Sequence, residues 1–232
     1  MTFLRTIPPA DAAGPVREMY EQAQNRFGYV PNWTQAFSLR PEMLDGWASL
    51  LRSVQSHLTV RQYEFATLAA ARALKSSYCA LAHGSVLADK VFDAATVAAI
   101  ATDAPDTPLE PRERAVMLFA EKVARSADQI TSADIEALRS HGYRDEEIFD
   151  LAAAAAARCF FSKLLDATIL PRRNFQRLVR PLLGHRAYNR PGVGHSRDAQ
   201  GSFFAVGKRV GRRFFNPRPL STLVRYCVFG AA

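Results

Sequence analysis

Residues 61–90 read RQYEFATLAAARALKSSYCALAHGSVLADK: two alanine-rich runs on either side of a break at Lys75-Ser76-Ser77. Alanine is the strongest helix former. Thr59 followed by Gln62 has the form of a capping box, so a helix begins there and runs to about Leu74, and the segment from Ser76 to Lys90 makes its return partner. Both helices are apolar over most of their surface, so they need further helices packed around them.

Outward from this hairpin, the same periodicity continues. Val16, Met19, Tyr20, Ala23 and Phe27 recur at helical spacing until Gly28, and Met43, Leu44, Trp47, Leu50, Leu51, Val54 and Leu58 mark an amphipathic helix that starts with Pro41. Further helices are predicted at about 93–102, 109–127, 132–140 and 146–168, the last closed by Pro171. No sustained alternating pattern signals a strand, so the fold class is all-α, a helical bundle.

The chain has 232 residues, 48% of them apolar, enough for one sizeable core. Its net charge of +8 is uneven: nine basic residues beyond position 184 face a single acid, Asp198, and account for all of it. We therefore expect a helical domain over 1–184 and a basic Gly/Arg/Phe-containing tail over 185–232, poorly ordered or loosely packed. Basic residues between Phe203, Phe204, Phe214 and Phe215 have the composition of an anionic-surface or single-strand contact, but the neutral body gives no reason to expect nucleic acid as the partner. The sequence has no run of apolar residues long enough for a membrane span and no signal-peptide pattern at its start, and the expected location is cytoplasmic. Three scattered cysteines fit free thiols.

Chemistry is concentrated in the hairpin. Cys79 and His83 stand at i and i+4, on one face of a helix and close to its N-terminus, where unpaired amides favour a thiolate. Glu64 lies on the preceding helix among Phe65, Leu68 and Ala69. At ~1.5 Å per residue it sits about as far back from the turn as His83 sits forward, so an antiparallel hairpin brings the two to similar depth. A carboxylate there would fix the tautomer of His83. The same residue types also fit plain core packing, and spacing alone leaves both readings open. Cys159, in LAAAAAARCFFSKLL, reads as an inert core thiol with no base nearby except Arg158. His57, His141, His185 and His195 show no metal-ligand spacing, and neither a metal nor another cofactor is expected.

Glu64, Ser76, Cys79 and His83, together with the FGYVPNW stretch at 27–33 and the closing FFSKLLDATILP, resemble the carboxymuconolactone decarboxylase-like superfamily, in particular its alkylhydroperoxidase D-like branch. That branch carries a glutamate, a Cys-x-x-Cys pair and a histidine four residues after the second cysteine. Here Ser76 stands at the first cysteine position, so the resemblance implies that no internal disulfide closes a peroxidase cycle between those positions. Tyr78 offers a further hydrogen bond beside Cys79. The resemblance also implies an all-helical homo-oligomer, a trimer or hexamer.

The resulting expectation is a single-cysteine hydroperoxide reductase: Cys79 as peroxidatic thiol, His83 and Glu64 as proton relay, Ser76 and Tyr78 in support, with an external thiol or Cys159 as reductant. The first alternative is a decarboxylase-like lyase acting on a small organic acid, in which the thiol is incidental. The second is a non-catalytic helical oligomer with the basic tail as its interaction element.

Overall fold

The computed structural model describes residues 3–103 and 106–168. The tail over 185–232, the remainder of the 1–184 domain beyond residue 168, Pro171, His185, His195 and Cys227 lie outside the described residues.

Among the described residues the regular structure is helical throughout, in nine α-helices: α1 (Gly14–Phe27), α2 (Asn32–Ala36), α3 (Pro41–Gln55), α4 (Val60–Ala73), α5 (Ser77–Lys90), α6 (Ala94–Ala101), α7 (Pro111–Ser126), α8 (Ser132–Ser140) and α9 (Asp145–Thr168). No helix among them is long and apolar enough to cross a membrane. The predicted helices are present, with α3 ending three residues earlier than its apolar pattern. The short α2 is an addition. At five residues it spans little more than one turn, too little for a period to register.

Local chemistry sets the boundaries. Pro41 occupies the first turn of α3, where its missing N–H costs nothing. The expected capping box is present on α4: Thr59 Oγ1 accepts from the Gln62 amide at 3.2 Å, and the Thr59 amide donates to Gln62 Oε1 at 2.8 Å. Helix α4 ends in a Schellman motif. The Ser76 amide donates to the Ala71 carbonyl at 3.0 Å and the Lys75 amide to the Arg72 carbonyl at 2.9 Å, with Lys75 in the left-handed region at φ 57°. This turn reverses the chain directly into α5.

Helix α4 is the centre of the bundle and packs against α5, α7 and α9. Its buried residues run around the whole helix, from Tyr63 through Ala71, which only a helix surrounded by others tolerates. Alanines at 66, 69, 70 and 71 keep its neighbours close, and burial of Phe65 and Leu68 contributes about 2 kcal/mol each. On the far side of α5, Gly84 permits α6 to approach: a Cβ there would meet Val97 Cγ1 at 3.3 Å. Helices α2 and α3 lie on α9, where Trp47 stacks on Phe161 with ring centroids 5.1 Å apart.

Candidate active site

The hairpin brings Glu64 and His83 together as their spacing predicts. His83 Nδ1 lies 2.7 Å from Glu64 Oε2, and both side chains are 1% exposed. A carboxylate can only accept, so Nδ1 carries the proton and Nε2 presents a lone pair. Nε2 has no hydrogen-bond partner among the described residues. Burial foremost, then the charge of Arg158, depresses the His83 imidazole below its ordinary range despite the pull of Glu64, and the ring is neutral at pH 7. His83 therefore has the form of a base, already oriented by its acid.

Cys79 occupies the third position of α5 and is 1% exposed. Its sulfur lines a cavity of about 20 Å³ together with His83, Tyr63, Tyr78, Trp33, Trp47 and Arg158. That volume holds about one water-sized group. Ser76, the residue before α5, is also 1% exposed, and its hydroxyl donates to Asp166 Oδ1 at 3.4 Å rather than capping the helix. Tyr78 stands in the cavity wall. Tyr78, Cys79 and His83 thus line one cavity, Glu64 joins them through His83, and Ser76 does not line it but bonds to Asp166 instead.

Arg158 is the participant that the sequence reading set aside. Its guanidinium Nη1 donates to Cys79 Sγ at 3.8 Å, from a side chain that is only 5% exposed. Burial works against the charged guanidinium, but its interactions with Cys79 and Tyr63 more than offset this and raise its pKa. The rings of Trp47 and Phe161, 5.9 and 5.5 Å from the guanidinium carbon, line its apolar sides. A signal was present: a buried charge requires a partner, and Arg158 interrupts an otherwise apolar run on α9. Sequence distance hid that partner, since Cys79 is 79 residues away.

The electrostatics of the cluster close on themselves. With Cys79 as a thiol and His83 neutral, Glu64 and Arg158 carry opposite charges. Transfer of the thiol proton to Nε2 would produce two ion pairs, imidazolium with Glu64 and thiolate with Arg158, again with no net charge. A proton can therefore move inside the cavity without importing charge into an apolar interior. Cys159 does not line this cavity. It is half-buried, and burial pushes its thiol up. Among the described residues no group of three or more His, Cys, Asp or Glu side chains is arranged to hold a metal ion.

No protein-family model matches the sequence, and neither does any curated protein. Solved structures do match. A peroxidase-related protein of Silicibacter sp. TM1040, itself uncharacterized, shares 26% identity at a TM-score of 0.65, covering 75% of this chain and 95% of that one. An alkylhydroperoxidase AhpD core protein of Ralstonia eutropha JMP134, also uncharacterized and peroxidase-related, shares 24% at the same TM-score and the same coverage. The debrominase Bmp8, as a cysteine-to-alanine variant in complex with 2,3,4-tribromopyrrole, shares 16% at a TM-score of 0.62, covering 79% of this chain and 98% of that one. The nine helices, their order and these neighbours agree: the chain has the all-α fold of the alkylhydroperoxidase D-like branch of the carboxymuconolactone decarboxylase-like superfamily.

Proposed function

We propose that the protein is a thiol-dependent hydroperoxide reductase with Cys79 as its only peroxidatic sulfur. The observation that carries this reading is the Arg158 guanidinium 3.8 Å from Cys79 Sγ, in the same cavity as the oriented His83 base. A cation at that distance favours the thiolate, which is the nucleophile. In the proposed step His83 Nε2 takes the thiol proton and the sulfur attacks the terminal peroxide oxygen. The S–O bond forms as the O–O bond breaks, and the departing alkoxide collects the proton from His83. Sulfur is oxidised by two electrons to the sulfenic acid and the hydroperoxide is reduced to an alcohol. Two equivalents of an external thiol then return the sulfenic acid to thiol, giving one disulfide and one water. Ser76 supports an external reductant, because a hydroxyl cannot resolve a sulfenic acid as a thiol does.

With dithiothreitol as reductant, steady-state peroxide consumption is expected in the wild type and should vanish in Cys79→Ser. A folded Cys79→Ser variant that consumes peroxide at the wild-type rate would overturn the reading.

The lyase reading has one observation in its favour, the unpartnered Nε2 of His83, since proton transfer on an organic acid needs a base and no sulfur. Arg158 would then bind the carboxylate. That reading requires Cys79→Ser to keep turning over an organic acid, whereas the small space beside the sulfur favours the terminal oxygens of a peroxide.

A further inference from the structure

The FGYVPNW stretch takes no part in the chemistry above, yet it builds a wall. Gly28, in the left-handed region at φ 76°, ends α1 and turns the chain away from it. Pro31 then precedes α2. Two side-chain amides hold the segment: Gln24 Nε2 donates to the Gly28 carbonyl at 2.7 Å, and Gln35 Nε2 to that of Val30 at 3.4 Å. Tyr29, Val30, Pro31 and Asn32 of this segment, with Tyr78 of α5 and Leu165 of α9, line a cavity of about 170 Å³. Trp33 lines it as well, and Trp33 and Tyr78 also line the small cavity that holds Cys79. The two cavities are neighbours with these two aromatic side chains in common, one of them on the residue next to the sulfur-bearing residue.

We propose that the 170 Å³ cavity is the subsite for the hydrocarbon body of an uncharged organic hydroperoxide, whose peroxide group reaches Cys79 past Trp33 and Tyr78. The proposal rests on the peroxidase reading. Three observations carry it. An apolar cavity of about 150 Å³ is known to take one benzene ring, so this one has the size for a single ring or a compact branched alkyl group. Among the described residues its lining carries no carboxylate, lysine, arginine or histidine, and its polar side-chain groups are the Asn32 amide, the tyrosine hydroxyls and the Trp33 indole N–H, which suits a neutral body and gives a carboxylate or phosphate no counter-charge. The small cavity has room for little more than the reacting oxygens, so the rest of an organic substrate must sit next door. The larger cleft of about 490 Å³ shares only Trp33 with the thiol cavity. It is also lined by Glu18, Arg26, Glu42, Asp45 and Arg52, a charged wall that does not suit a hydrocarbon.

The test compares cumene hydroperoxide with hydrogen peroxide on the wild type and Val30→Phe, with dithiothreitol as reductant. Calorimetric titration of Cys79→Ser with 2-phenyl-2-propanol, the unreactive product alcohol, is run alongside. Filling the cavity with Val30→Phe should lower kcat/KM for cumene hydroperoxide by about tenfold or more, while that for hydrogen peroxide stays within about twofold. Should Val30→Phe not fold, Asn32→Trp, at an exposed position in the same wall, takes its place with the same expectation. The alcohol should bind Cys79→Ser and fail to bind the Cys79→Ser/Val30→Phe double variant. Hydrogen peroxide turnover together with no alcohol binding and no discrimination by the filling variant overturns the subsite and leaves the peroxidase reading standing. Alcohol binding that the filling variant abolishes, with no turnover of either peroxide, upholds the cavity as an apolar subsite and overturns the peroxidase reading.

Discussion

Arg158 is the residue on which the electrostatics of the cavity turn. It faces the sulfur of Cys79 and spreads its apolar faces against Trp47 and Phe161, so its charge is held where a thiolate would form. Replacing it with methionine keeps an unbranched apolar stem and removes the guanidinium and its charge. Alkylation of Cys79 by iodoacetamide, an uncharged reagent that the arginine does not attract, should then slow by roughly tenfold at pH 7, while Arg158→Lys should keep part of the rate. Peptide mapping of the alkylated product reads the rate at each cysteine. An unchanged rate in a folded Arg158→Met protein would mean the guanidinium does not act on the sulfur. His83 gives a second test, through pH. Its folded pKa is depressed while the unfolded value stays near 6.5, so below about 6.5 the unfolded chain takes up a proton that the folded chain refuses. Stability from this residue is complete above that pH and falls on acidification by up to about 1.4 kcal/mol per pH unit. Urea midpoints between pH 7 and 5.5 should decline in the wild type and decline less in His83→Gln. Equal slopes would show that His83 is not buried in the neutral form.

At the scale of elements, the α4–α5 turn does the positioning. A lysine holds a left-handed position that glycine fills in most Schellman caps. Lys75→Gly should relieve that cost and raise stability by about 0.5–1 kcal/mol, net of glycine's extra unfolded-state entropy, as a higher urea midpoint at unchanged m-value. A lower midpoint would mean that the lysine side chain contributes more than its backbone costs. The sequence made these helices legible because their apolar stripes, capping boxes and proline or glycine boundaries are local signals, carried within a turn or two. The Thr59–Gln62 box and the Gly28 stop are cases in point. Helix α2 was not legible, since five residues give no period. The Glu64–His83 pair was legible because the two residues lie at similar distances on either side of the turn that joins their helices. Arg158 was not, because its partner becomes visible only once α9 packs beside the hairpin, although a lone charge in an apolar helix already signals the need for one.

At the scale of the molecule, the bundle leaves apolar side chains in solvent next to the wall of the site. Phe160 is 44% exposed and lies against Trp47 with ring centroids 5.5 Å apart, while Met43 and Leu50 on α3 are 43% and 49% exposed. We propose that this surface joins copies of the chain into the homo-oligomer that the resemblance implies, so that the aromatic wall of the cavity is backed by a neighbour. Light scattering should give a trimer or hexamer for the wild type and a monomer for Leu50→Glu/Phe160→Glu. A wild-type monomer, or an assembly that the double change leaves intact, would place the contact elsewhere. The whole account rests on Cys79 being the atom that peroxide oxidises, and peptide mass mapping after one equivalent of cumene hydroperoxide in the presence of dimedone tests it most directly. The account predicts a single dimedone adduct on Cys79 that Arg158→Met diminishes. No adduct on Cys79, or one on Cys159 instead, would contradict it.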